Sequence, residues 1–98
     1  MSDDVTLSPQ AHEDLVSVYD YIAADNPAAA ALLLSRFDRA FRLLAAFPKM
    51  GSELDIKNPR DRRVFPVRGY RIIYRPFEER TGIEILRVYH GARDISKL

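Results

Sequence analysis

The residues of this chain best suited to chemistry are two histidines, His12 and His90, and a set of arginines, most of which lie in the second half of the sequence. The stretch "RVYHGARD" (87–94) ends a strand-like run in His90 and Gly91 and then places Arg93 and Asp94 in a loop. A histidine flanked by arginines could act as a general acid or base, provided a substrate proton lies within reach and its pKa is tuned. A lone histidine at a strand end is more often a structural hydrogen-bonder. His12 lies between Ala11 and Glu13 on a helical pattern and reads as solvent-exposed. The two histidines have no metal-ligand spacing, so neither a metal nor a cofactor is expected. None of Ser8, Ser17, Ser35, Ser52 and Ser96 has a nucleophile-elbow context, and no glycine-rich phosphate loop exists.

The arginines carry more information. "RRVFPV" (62–67) passes through Arg68-Gly69 into "YRIIYR" (70–75), which reads as a hairpin with a two-residue loop where Gly69 can take a positive φ. That loop sets the pairing: Val67 opposite Tyr70, Phe65 opposite Ile72, Arg63 opposite Tyr74. Alternation then puts Phe65, Val67, Tyr70, Ile72 and Tyr74 on one face and Arg62, Arg71 and Arg75, with Val64 and Ile73, on the other. A last strand, "IEILRVYH" (83–90), adds Arg87 and Tyr89 to the second face and Val88 to the core. The expected result is a basic, partly aromatic surface of Arg62, Arg71, Arg75, Arg87, Tyr89 and Arg93. Guanidinium groups there suit phosphate or carboxylate, and the tyrosine could stack on bases. Pro66 cannot donate to a ladder, so its strand belongs at an edge.

The elements that position this face come earlier in the chain. "VTLS" (5–8) reads as a brief first strand. Ser8 followed by Pro9 signals a helix start, with Ala11, Leu15, Val18 and Ile22 spaced along one face and Glu13 and Asp14 favouring the helix dipole. Pro27 restarts a helix behind a cap at Asp25 or Asn26. Leu33, Phe37, Ala40, Phe41, Leu44 and Phe47 form its apolar stripe, and Gly51 helps turn the chain after Phe47-Pro48. Residues 52–61, "SELDIKNPRD", read as polar and irregular. The fold expected is α+β: a short N-terminal strand, an antiparallel helical hairpin over about 9–47, then a three-stranded antiparallel meander over about 63–90. The helices cover one face of the small sheet, and residues 1–98 form a single domain.

Composition bounds the rest. Ninety-eight residues, 47% hydrophobic and 30% charged, describe an ordinary globular protein. The absence of cysteine excludes disulfides and thiolate chemistry and suits a cytoplasmic location. No apolar run is long enough for a membrane helix. The net charge of +1 conceals an asymmetry: residues 1–50 hold four basic and seven acidic side chains, residues 51–98 eleven and seven. This asymmetry reads either as the ordinary unevenness of a charged surface or as a basic face for an acidic partner, nucleic acid or peptide.

Strand, helical hairpin and three strands, carrying "LSPQAHEDLVSVYDYIA" (7–23), "FPKMG" (47–51), "RVFPVRGYRIIYR" (63–75) and "IEILRVYHGARD" (83–94), resemble the ParE/RelE toxin superfamily over nearly the whole chain. The "HGARD" ending is most similar to the ParE branch. The resemblance implies the toxin of a type II toxin–antitoxin module, neutralised by a ParD-like antitoxin whose acidic, amphipathic C-terminal tail wraps the toxin. In the ParE branch the implied target is DNA gyrase and no catalysis by the toxin itself. In the RelE branch it is mRNA on the ribosome, cleaved by side chains for which His90, Arg71 and Arg87 are the candidates here. The lysine-rich central strands of the RelE branch are missing, which favours ParE.

Overall fold

A computed structural model describes residues 4–54 and 62–91. Their order is β1 (Val5–Leu7), α1 (Pro9–Ala23), α2 (Pro27–Ala46), β2 (Ser52–Glu53), β3 (Arg63–Val67), β4 (Tyr70–Pro76) and β5 (Ile83–His90). The strands form one sheet in the order β1-β5-β4-β3-β2. The meander β3-β4-β5 is antiparallel as its turns require, whereas β1 lies parallel to β5 with Val5 opposite Ile83. The sheet is therefore mixed and five-stranded. The extra strand, β2, lies in the segment that reads as irregular, because a two-residue strand has no alternation to display. It pairs Ser52 with Val64 and Glu53 with Arg63.

Both helices start as their capping residues dictate. The Ser8 hydroxyl accepts from the Ala11 amide at 3.0 Å, and the Asn26 side chain accepts from Ala29 at 3.0 Å. Each cap precedes a proline whose missing N–H costs the first turn nothing. The stripe of α2 buries Phe37, Ala40, Phe41 and Leu44, joined by Ala30 and Ala45. Phe47 departs from the expectation: it is 59% exposed, since the backbone leaves helical geometry there (φ −130°) and turns the ring off the stripe.

The β3–β4 hairpin has the register its loop sets, Val67 opposite Tyr70 through Arg63 opposite Tyr74. Arg68 and Gly69 both take positive φ, 52° and 83°, matching the twist of the flanking strands. Since Val67 and Tyr70 close the loop as a hydrogen-bonded pair, Pro66 falls at a position whose N–H would point away from β4. Contrary to expectation, β3 is not an edge strand, since β2 pairs with its Arg63 and Val64. That pairing stops short of Pro66, so the missing donor costs the ladder nothing. Phe65, Val67 and Tyr70 pack on a core that includes Ile72, Tyr74, Ile83, Ile85 and Val88 from the sheet and Phe37, Phe41 and Leu44 from α2. Each such side chain contributes roughly 1.5–3 kcal/mol by leaving water.

One irregularity decides which side β5 shows. Ile73 pairs with Arg87 but Tyr74 pairs with Ile85, so Leu86 is an extra residue in the ladder. The bulge lets Ile83 and Ile85 share the core face with Val88, which strict alternation would forbid. Gly51 is also needed for a reason other than turning: a Cβ there would stand 2.6 Å from the Tyr74 hydroxyl oxygen. Tyr74 uses that close approach to donate to the Pro48 carbonyl at 2.7 Å and accept from the Gly51 amide at 2.8 Å.

Candidate target interface

The face of the sheet turned away from the helices holds the sequence-derived arginines, and the register puts them next to defined neighbours. Arg71 lies opposite Tyr89, Ile73 opposite Arg87, and Arg75 opposite Glu84. Arg71 is exposed and forms no ion pair with another described residue. Arg75 is exposed too, but its Nε and one terminal nitrogen each reach Glu84 at 2.9 Å, so part of its charge is offset. Arg62 is half-buried just ahead of β3, with its Nε buried and unpartnered among the described residues. Arg93 lies outside the described residues.

Two members of the expected surface are placed differently. Tyr89 is only 2% exposed, so it offers no ring to an incoming base. Burial pushes its phenol above the ordinary range, with the nearby Arg71 charge pulling the other way. Arg87 is half-buried and held by α1. Its Nε donates to Asp14 at 2.8 Å and a terminal nitrogen donates to the second carboxylate oxygen at 3.2 Å. These bonds to Asp14 raise the guanidinium pKa against the opposing effect of burial. The same carboxylate accepts from the Val88 amide at 2.9 Å, so Asp14 also satisfies β5 where β1 no longer runs beside it. Asp14 reads in the sequence as a helix-dipole residue; its reach across 73 positions to Arg87 leaves no local signal.

The three side chains that cleavage chemistry would use do not converge. His90 pairs with Tyr70, and its ring stands edge-on to the Tyr70 ring at 5.2 Å. Tyr70 in turn meets Phe37 of α2 at 5.5 Å, which puts His90 on the helix-facing side of the sheet. Arg71 projects from the other side, and Arg87 is engaged by Asp14. His12 is exposed on α1. Among the described residues, no three histidine or acidic side chains cluster as metal ligands. No helix there is long and apolar enough to cross a membrane.

The model of one family, the ParE toxin of the type II toxin–antitoxin system parDE, matches residues 5–95. The chain belongs to the ParE toxin family. Its fold is similar to a chain from the chromosomal ParDE system of P. aeruginosa, with a TM-score of 0.68 and 19% identity over 89% of this chain and 94% of that one. It is also similar to a chain of the RelBE2 toxin–antitoxin complex of Mycobacterium tuberculosis, at TM-score 0.62 and 26% identity over 88% and 94%. Comparison with curated proteins gives no match. As a ParE-family member, the chain is a toxin of a type II toxin–antitoxin system.

Proposed function

We propose that this toxin inhibits DNA gyrase by binding rather than by chemistry, acting in the cytoplasm through its outer sheet face. The observation that carries the reading is the separation of His90 from Arg71 and Arg87, in a chain whose family model is ParE. A ribonuclease site would need an acid or base and a charge-stabilising arginine around one phosphate. Exposed Arg71, Arg75 beside Glu84 and half-buried Arg62 instead spread positive charge in a way that suits a macromolecular surface, with Arg93 a further candidate.

The partner is a ParD-like antitoxin, as the parDE pairing in the family's description and the toxin–antitoxin neighbours suggest. Its acidic, amphipathic tail has an apolar seat available between β1 and α2, a groove of about 560 Å³ lined by Leu7, Leu15, Leu34, Phe37 and Phe41. A tail disordered alone would fold into that groove as a helix or add as a strand to β1.

Likeness to the RelBE2 chain supports one second reading, a ribosome-dependent endoribonuclease. Incubating the purified chain with gyrase and plasmid, and separately with translating ribosomes, distinguishes the two. Stabilised DNA breaks without mRNA cleavage are the expected result. Codon-dependent mRNA cuts without DNA breaks would replace gyrase by the ribosome, and DNA protection with neither activity would leave a simple nucleic-acid binder. For the partner, the neighbouring reading frame should encode a short protein with an acidic tail that abolishes toxicity on co-expression.

A further inference from the structure

A second pocket, of about 350 Å³, opens where the start of α1 meets the outer face of the sheet. Arg62 and Arg87 line it together with Gln10 and the aliphatic side chains of Leu54, Ile73 and Leu86. The two guanidiniums are not equivalent. Arg87 is oriented by Asp14, which takes its Nε and one terminal nitrogen. Arg62 has no ion pair with a described residue, and its Nε is buried without a partner. A carboxylate entering the pocket would add charge-assisted hydrogen bonds to a guanidinium that no described acidic residue neutralises. The first turn of α1 adds a favourable dipole for an anion at the same mouth.

The lining also discriminates between anions. It contains no aromatic ring, so a nucleobase would find nothing to stack on. Leu54, Ile73 and Leu86 instead suit an aliphatic side chain lying beside a carboxylate. Resting on the antitoxin reading above, we propose that this pocket seats a glutamate- or aspartate-bearing, leucine-like segment of the antitoxin's acidic tail. Neutralisation then works by competition, because the tail occupies Arg62, one of the cations offered to the target.

The probe is a capped tetrapeptide, acetyl-LELE-amide, titrated into the ¹⁵N-labelled full chain, with acetyl-LQLQ-amide, inorganic phosphate and a hexauridylate in parallel. The expected result is a shift of the Leu54, Arg62, Ile73, Leu86 and Arg87 amides by the acidic peptide. The glutamine peptide should bind at least about tenfold more weakly, and Arg62→Gln should remove most of the difference. Leu86→Glu, which places a carboxylate in the lining, gives a second variant should Arg62→Gln fold poorly, and it too should weaken binding of the acidic peptide. Equal response to both peptides, shifts confined to other residues, or stronger shifts from the hexauridylate or phosphate would overturn the proposal. If the complete antitoxin binds the native chain and Arg62→Gln equally, the pocket is wrong and the toxin–antitoxin pairing stands. If the antitoxin encoded alongside fails to bind at all, the pairing itself falls, and with it this occupant.

Discussion

The two sides of the sheet are written by alternate residues of the same strands, yet they are held by different forces. On the helix side, Phe65, Tyr70, Ile72 and Tyr74 meet α2 through apolar contact that is non-directional and tolerates small shifts. On the outer side, order comes from directed pairs: Arg75 with Glu84 across two strands, and Arg87 with an Asp14 carried in from α1. The apolar side should govern whether the chain folds, and the outer side what it binds. The difference teaches that a basic face is not one uniform patch. Arg71 is available to a partner, Arg87 is committed to the fold, and Tyr89 is covered.

The strongest challenge to this division is Phe37→Ala. Phe37 is 1% exposed and packs against the Phe41 and Tyr70 rings, so its truncation should cost about 3–5 kcal/mol in urea denaturation. A loss below about 1 kcal/mol would mean that α2 contributes little to the core.

Asp14→Ala tests the one outer-side bond that should matter to folding. It strips both Arg87 and the Val88 amide of their acceptor. Because the Arg87 side chain keeps 30% of its exposure, solvent offsets part of the loss, leaving about 2 kcal/mol. A double-mutant cycle with Arg87→Ala measures the coupling, and additive effects would show the pair to be idle.

Tyr89 gives a pH signature. Its phenol pKa is raised in the folded state, so the folded chain holds that proton more tightly than the unfolded chain does. This contribution is intact below the unfolded value of about 10 and is lost as pH rises through the higher folded value. Denaturation midpoints should therefore fall above about pH 10, less steeply in Tyr89→Phe. An identical fall in both would assign the effect to other groups.

Arg71→Ala should show the smallest stability change, within about 0.5 kcal/mol, together with a clear loss of growth inhibition. Equal thermal stability with full toxicity would move the target surface away from Arg71.

What the sequence disclosed follows the range of the forces involved. The hairpin register was readable because Arg68-Gly69 is a local signal and everything from Arg63 to Tyr74 follows from it by alternation. The stripe of α2 was readable for the same reason, up to Phe47, where periodicity continues one step beyond the helix. The Leu86 bulge was not, since one inserted residue changes which side Ile83 and Ile85 face without any unusual residue type. Nor was the commitment of Arg87, whose partner Asp14 reads as a helix-start charge yet lies beyond the first turn of α1, where the dipole has faded. For the site, the sequence located the arginines of the hairpin and the face they share. It did not reveal which cations the fold itself consumes.

The parallel pairing of β1 with β5 bears on synthesis. Ser8 donates its hydroxyl to the Leu86 carbonyl at 2.8 Å, and the Ile83 amide donates to the Asp4 carbonyl at 2.8 Å. Residues of β1 thus wait for partners 78 positions further along the chain, and contacts so distant in sequence slow the closing of a fold. A nascent chain released before Ile83 has neither the strand that β1 joins nor the amide that Asp14 caps. Interrupted translation should accordingly yield unfolded fragments rather than a partial toxin, and the interval before β5 emerges is one in which the helical hairpin exposes its apolar stripe to chaperones and proteases.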